Sequence, residues 1–149
     1  MGKGVFATRD IPVGEIIFAE RPLLVVPCAI TPFRKINPKD YSTEDYMKIM
    51  LFEWEQLLEA AAGRMDPERR AKLMALANCH LEDGSGPING IVRTNGFSAG
   101  NLCDGDDTEP TGKYRAARLY SVVCDIGSRM NHRCVLFYFF RLAITKLFF

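Results

Sequence analysis

The stretch GVFATRDIPVGEIIFAERPLLVVP, residues 4–27, leaves no room for a long helix. Short apolar runs alternate in it with turn residues: Pro12 fixes its own φ, Gly14 is free to take positive φ, and Pro27 stops the last run. Val5–Ala7, Glu15–Ala19 and Leu23–Val26 therefore read as three short strands around a tight turn at Asp10–Gly14. The opening of the chain is β in character.

After Asn37-Pro-Lys-Asp40 the hydrophobic period changes. Ser42 or Thr43 can cap a helix whose first turn holds Glu44 and Asp45, acids that suit the positive end of the helix dipole. Apolar residues then recur at Tyr46, Ile49, Met50, Trp54, Leu57, Leu58 and Ala61, and Gly63 is a natural stop. Asp66-Pro67 restarts a helix with an aspartate cap and a proline in the first turn, and Leu73, Met74, Leu76 and Ala77 form its expected buried stripe. The spacing predicts a helical hairpin over residues 43–79, inside an insert of about residues 38–80. A β opening followed by a helical hairpin makes the fold class α+β.

LEDGSGPINGIVRTNGFSAG, residues 81–100, is dense in glycine and reads as loop around one short helix or strand near Ile88–Thr94. The acids Asp104, Asp106, Asp107 and Glu109 have the flavour of a calcium loop, but the later glutamate that such a loop needs is missing, so a solvated loop is expected. Arg118–Cys124 reads as a further strand. It leads into SRMNHRC, residues 128–134, and beyond Cys134 the composition changes abruptly: twelve of the last fifteen residues are apolar and five of the ten phenylalanines lie there.

A chain of 149 residues with 48% hydrophobic and 25% charged residues suits one globular domain. Nineteen basic against eighteen acidic side chains give a net charge of +1, so no global field points to nucleic acid or to an anionic membrane. Cys28, Cys79, Cys103, Cys124 and Cys134 are odd in number and irregular in spacing, which suits free thiols in a reducing compartment. With no apolar run of signal-peptide length at the start, an intracellular location, nucleus or cytoplasm, is expected. Cys79-His80 and His132-x-Cys134 offer metal-binding side chains, but adjacent residues rarely ligate one metal and no C-x-x-C knuckle is present, so no zinc site is expected.

Three separated blocks, GKGVFATRDIPVGEIIFAERPLL, EDGSGPINGIVRTNGF and SRMNHRC, resemble the SET-domain protein-lysine methyltransferases in content and in order, in particular the group whose SET core is split by a helical insert. The resemblance covers residues 2–134. It implies a SET-like (β-clip) arrangement of short strands with the helical insert, and S-adenosyl-L-methionine as cofactor. The family's G-x-G turn beside the methionine portion of the cofactor matches Gly2-Lys3-Gly4; two glycines let backbone amides approach a carboxylate, and the lysine adds a cation. Its N-H-x-C motif matches Asn131, His132 and Cys134, so Gly2, Lys3, Gly4, Asn131 and His132 are the implied cofactor-binding residues. Members usually carry serine at the position of Arg133. Gly90, Arg93, Thr94 and Asn95 resemble the segment that joins the insert back to the core, where the glycines are expected to supply turns.

Nothing after Cys134 resembles the family's proline-asparagine turn, its later strands, its GEE…Y block with the channel tyrosine, or its cysteine-rich zinc segment. The reaction holds a neutral lysine amine in line with the methyl group and desolvates it, so loss of that channel removes the orientation on which it depends. Tyr114, Tyr120 and Tyr138 lie in no catalytic context, and no catalytic residue is assigned. The expected domain is thus a partial SET domain, residues 1–134, cut at both ends and lacking the C-terminal part of the fold, followed by an atypical apolar tail, residues 135–149.

Three readings of that tail stay open: a cover for apolar surface, an exposed aggregation-prone segment, or translated intron, since valine codons begin with the GT that opens introns. Its fifteen residues, interrupted by Arg141 and Lys146, fall short of a membrane span. The expected partner is a protein substrate with a target lysine, a histone among the candidates. The expectation for this chain is part of the cofactor site without activity; the alternatives are a non-catalytic protein-interaction module and an unstable gene-model fragment.

Overall fold

The structure, a computed structural model, describes residues 4–28, 36–99 and 119–130. Its described part is α+β: three helices and one three-stranded antiparallel sheet. The strands are β1 (Leu24–Pro27), β2 (Phe97–Ala99) and β3 (Tyr120–Val123), and the helices are α1 (Thr43–Gly63), α2 (Pro67–Met74) and α3 (Pro87–Asn95). Short 3-10 turns at Pro38–Asp40 and Gly127–Arg129 complete it.

The capping chemistry of the two helices α1 and α2 is as the sequence dictates. Ser42 Oγ accepts from Asp45 N at 3.1 Å and starts α1. Asp66 accepts from Glu68 N and Arg69 N at 2.9 and 3.3 Å, and Pro67 opens α2. A cap of this kind is worth about 1 kcal/mol. α1 ends at Gly63, where the Arg64 amide turns back to Ala61 O.

The apolar stripes bury less than their periodicity promises. In α1 only Leu58 and Ala62 among apolar residues are fully buried, while Tyr46, Ile49 and Met50 are half covered. In the second helix Leu73 is buried, but α2 stops at Met74, and Met74 and Ala77 are exposed. The core joins Leu23, Leu24 and Val26 of the β1 segment to Leu58, Leu73, Leu76, Ile88, Ile91, Val92 and Val123, with Trp54, Ala61 and Met65 against it.

β3 lies at the centre of the sheet, with Leu24 opposite Val123 on one side and Phe97 opposite Val122 on the other. Val122 and Val123 are buried, as a central strand requires. Leu23–Val26 is realised one residue later than expected, and Pro27 is tolerated because β1 is an edge strand. Val5–Ala7 and Glu15–Ala19 are not strands: no described residue pairs with them, and the apolar character of a strand does not replace its ladder. The turn between them does form, with Glu15 N donating to Pro12 O at 3.2 Å and Gly14 at φ +89°. Among the described residues no helix is long and apolar enough to cross a membrane.

The short element expected near Ile88–Thr94 is the helix α3. Gly90 lies in its middle rather than in a turn, and its role is steric: a Cβ there would sit 2.4 Å from Asn78 Oδ1. Gly84, at φ +84°, does supply a turn. α3 has no side-chain cap of its own at Gly86; instead Glu55 of α1, itself buried, accepts from Ile88 N and Asn89 N at 2.9 and 2.7 Å. Beside it the Asn89 side chain is fully enclosed, and neither of its polar atoms finds a partner among the described residues.

Candidate functional site

Residues 124–130 precede Asn131 and His132 in sequence, and two distant parts of the chain hold residues 124–128. Glu20 is the first. Its carboxylate accepts from Ile126 N at 2.9 Å and from Gly127 N at 2.6 Å, capping the 3-10 turn from more than a hundred residues away. A carboxylate at such free amides is favoured by both charge and hydrogen bonding. Gly127 leaves it room, since a Cβ there would sit 3.0 Å from Glu20 Oε1.

The second clamp comes from the end of α3. Ser128 Oγ donates to the backbone oxygen of Asn95 at 2.9 Å and accepts from Cys124 N at 2.9 Å. The Asn95 side chain is buried and donates to Ala77 O and Ile91 O, each at 2.7 Å, so the residue that receives Ser128 is locked to both α3 and the preceding chain. Gly96 follows because nothing larger fits: a Cβ would meet Ser121 Oγ at 2.2 Å and Val92 O at 2.6 Å. The three sequence blocks thus meet at one place, through Glu20, Asn95 and Ser128.

Burial and the Glu20 carboxylate together set the electrostatics at this junction. Burial, then the neighbouring Glu20 charge and its hydrogen bond, push the Cys124 thiol up to about 12. It is a protonated, unreactive thiol at neutral pH. Burial also raises the Cys28 thiol. Arg129 holds Asp125 through Nε to its backbone oxygen at 3.0 Å and Nη2 to Oδ1 at 3.2 Å, so this cation is engaged locally.

A second polar cluster organises the loop before α3. Asp83 Oδ2 accepts from Arg93 Nη1 at 2.7 Å and meets His80 Nδ1 at 2.7 Å, while Asp83 Oδ1 accepts from Ser85 N at 3.0 Å. The Ser85 hydroxyl and amide, with His80 and Arg93, hold the Asp83 carboxyl well below the usual carboxylate range. Arg93 and Thr94 are therefore structural: the first ties the loop to α3, and the second accepts from Cys79 N at 3.0 Å.

Of the residues expected to bind the cofactor, Gly4 alone is described. It is exposed, and on its Cβ side it meets only the ring of Phe6, at 3.4 Å. Gly2, Lys3, Asn131 and His132 lie outside the described residues, as do the acid cluster Asp104–Glu109, Tyr114 and Tyr138. Tyr120 sits in β3, half buried.

The described part of the junction does not form a cradle for S-adenosyl-L-methionine. The free amides of its 3-10 turn are taken by Glu20, the Ser128 hydroxyl by Asn95, and the space beside Gly96 and Gly127 by protein atoms. The orphaned buried atoms, Trp54 Nε1 and the Asn89 amide, belong to α1 and to the start of α3. A groove of about 330 Å³ at the α1–α2 corner, lined by Gly63, Met65, Pro67, Arg70, Ala71 and Met74, contains none of the residues expected to bind the cofactor.

Sequence reasoning did not find Glu20, Glu55 or Ser128 as positioning residues. Glu20 and Glu55 act on amides 106 and 33 residues away, whose position in sequence carries no trace of them. Compared with protein-family models, curated proteins and solved structures, the chain matches none.

Proposed function

We propose that this chain is a SET-type module by descent: a frame that presents part of a site for S-adenosyl-L-methionine and, as this chain, performs no methyl transfer to lysine. The observation that supports it is the meeting of the three resembling blocks. Glu20 of the first and Asn95 of the second both grip residues 126–128, immediately before Asn131 and His132. The contacts to the cofactor fall to Gly2, Lys3, Gly4, Asn131 and His132, and the described residues act as their scaffold. When bound, the cofactor supplies an activated methyl group. The chain's own contribution is to hold the carboxylate and adenine ends of the cofactor.

The test is a titration of the purified full chain with S-adenosyl-L-methionine, read by calorimetry and by thermal shift. Saturable heat is expected, with a rise in melting temperature corresponding to ~2.7 kcal/mol at a hundredfold excess over Kd. Asn131→Ala is expected to abolish both signals, and a histone substrate is expected to acquire no methyl group. A folded chain that gives no saturable response overturns the proposal.

A second reading, a non-catalytic interaction module, rests on the first half of α1, where Met47 and Phe52 are exposed and no residue before Glu53 is buried. Trp54 does not serve it, because that ring packs on the core.

A further inference from the structure

The groove at the corner between α1 and α2 combines an apolar floor with a cation. Its backbone is fixed before anything binds: the Arg64 and Met65 amides donate to Ala61 O and Ala62 O, both at 3.2 Å, Asp66 caps α2, and Ala62 and Leu73 are fully buried in the two helices. Over Gly63 the groove is open, since a Cβ there would meet nothing within 4 Å, and Met74 is 41% exposed where α2 ends. Two thioethers, Met65 and Met74, with Pro67 and Ala71 between them in sequence, make a lining that adapts to an incoming apolar side chain.

The charges of this corner are unbalanced. Residues 63–74 hold four cations, Arg64, Arg69, Arg70 and Lys72, against two acids, Asp66 and Glu68. Both acids are engaged: Asp66 accepts from Glu68 N and Arg69 N, and Glu68 pairs with Lys72 at 2.9 Å. The Arg69 side chain donates to the backbone oxygens of Pro22 and Leu23. Arg64 and Arg70 are exposed, and their side chains have no partner among the described residues. Arg70 is itself a wall of the groove, and Arg64 stands in sequence between two of its lining residues, Gly63 and Met65.

We propose that this corner docks an acidic segment of a partner protein, which seats one large apolar side chain against Met65, Ala71 and Met74 and pairs its neighbouring carboxylates with Arg70 and Arg64. Charge complementarity selects that occupant: a guanidinium without an internal partner forms a forked, two-bond pair with a carboxylate. The net charge of +1 gives the chain no global field for a polyanion such as nucleic acid, so the local pair decides. Size points the same way, because about 330 Å³ lies at the lower end of ligand sites and suits a single anchor side chain. The apolar lining favours a peptide over a bare anion, which would leave it uncovered. The groove shares no residue with the junction at Glu20 and Ser128, so the proposal holds whether or not that junction takes a cofactor.

The test titrates the full chain, carrying methyl-labelled methionine, with an N-acetylated peptide of aspartates around one central leucine. The Met65 and Met74 methyl resonances are expected to shift saturably, with a Kd at or below roughly 1 mM, while the exposed Met47 methyl stays in place. Serine in place of the leucine, or asparagine in place of every aspartate, is expected to weaken binding roughly tenfold or more. Arg70→Glu is expected to lose the acidic peptide and to gain its lysine counterpart, a reversal that a misfolded variant does not give. Gly63→Leu, whose side chain enters open space and suits a helix better than glycine, is expected to weaken binding with the melting temperature unchanged or raised. The absence of a saturable shift at Met65 and Met74 overturns the proposal, as does equal binding of the asparagine peptide or failure of Arg70→Glu to invert the preference. A single-stranded oligonucleotide that shifts the same resonances at lower concentration than the peptide also overturns it, by assigning the corner to nucleic acid.

Discussion

Glu55 is expected to be the most costly single carboxylate to remove. It sits on α1 yet supplies the cap of α3, accepting from two buried amides at 2.9 and 2.7 Å. Glu55→Ala leaves both amides without an acceptor in a place that water does not reach. Each buried amide left unpaired costs about 1–3 kcal/mol, and loss of a negative charge at a helix N-terminus adds about 0.5–1 kcal/mol. The total, ~2.5–7 kcal/mol, is a large share of the ~5–15 kcal/mol that holds a domain of this size. Glu55→Gln keeps one acceptor but turns an NH2 group toward the other amide, and its cost is expected to fall between the wild type and Glu55→Ala.

Urea unfolding reads this directly. With a slope of about 1–3 kcal/mol per molar, Glu55→Ala is expected to lower the midpoint by roughly 2 M with the slope unchanged. Gly86 provides the control for mechanism. A Cβ at Gly86 would lie 2.1 Å from Glu55 Cδ, and the carboxylate cannot yield without breaking its hydrogen bonds. Gly86→Ala is therefore expected to be severe alone and mild in the Glu55→Ala background, a coupling of at least ~1 kcal/mol. A midpoint unmoved by Glu55→Ala, or two substitutions that add to within ~0.5 kcal/mol, would refute the cap.

Glu20→Gln is expected to cost about 1 kcal/mol, less than Glu55 because the site is only partly buried, and to bring the Cys124 thiol down from its raised value; thiol labelling against pH would follow the second effect, and an unchanged labelling profile would count against it. Asp83 gives a pH dependence whose sign is fixed. Its carboxyl is held below the ordinary value of 3.8, so its contribution is complete above that pH and disappears as the pH falls toward the folded-state value. The stability gap between wild type and Asp83→Asn is expected to be level from neutral pH down to about pH 4.5 and to narrow below pH 4; a gap that widens on acidification would contradict the Asp83 network.

The helical part of the fold was open to reading because its signals are local. Ser42, Asp66 and Pro67 act within three residues of themselves, so their meaning survives in the sequence. The strands depend on partners. Glu15–Ala19 has the composition of a strand and no strand partner among the described residues, whereas the three-residue β2, inside a glycine-rich stretch, is a strand because β3 lies beside it. The same division runs through the site. The resemblance drew attention to SRMNHRC, but the residues that hold its approach, Glu20 and Asn95, are remote in sequence and are recognised only once the chain is folded. Gly90 shows the limit from the other side: a glycine that suggests a turn is in fact a point where the Asn78 side chain presses on a helix.

The strand order carries a consequence for how the chain is made. Among the described residues β1 and β2 pair only with β3, and Leu24 waits for Val123, almost a hundred residues later. At synthesis rates of about 5–20 residues per second, β1 emerges some 5–20 s before its partner. Helices α1 and α2 can form in that interval, but the β1–β3 pairing cannot begin, and Leu24 and Val26 stay without their strand neighbour. The four residues Tyr120–Val123 thus act as a closing key: assembly of the sheet is timed by the arrival of its middle strand, and a chain held up before that point exposes both flanking strands at once.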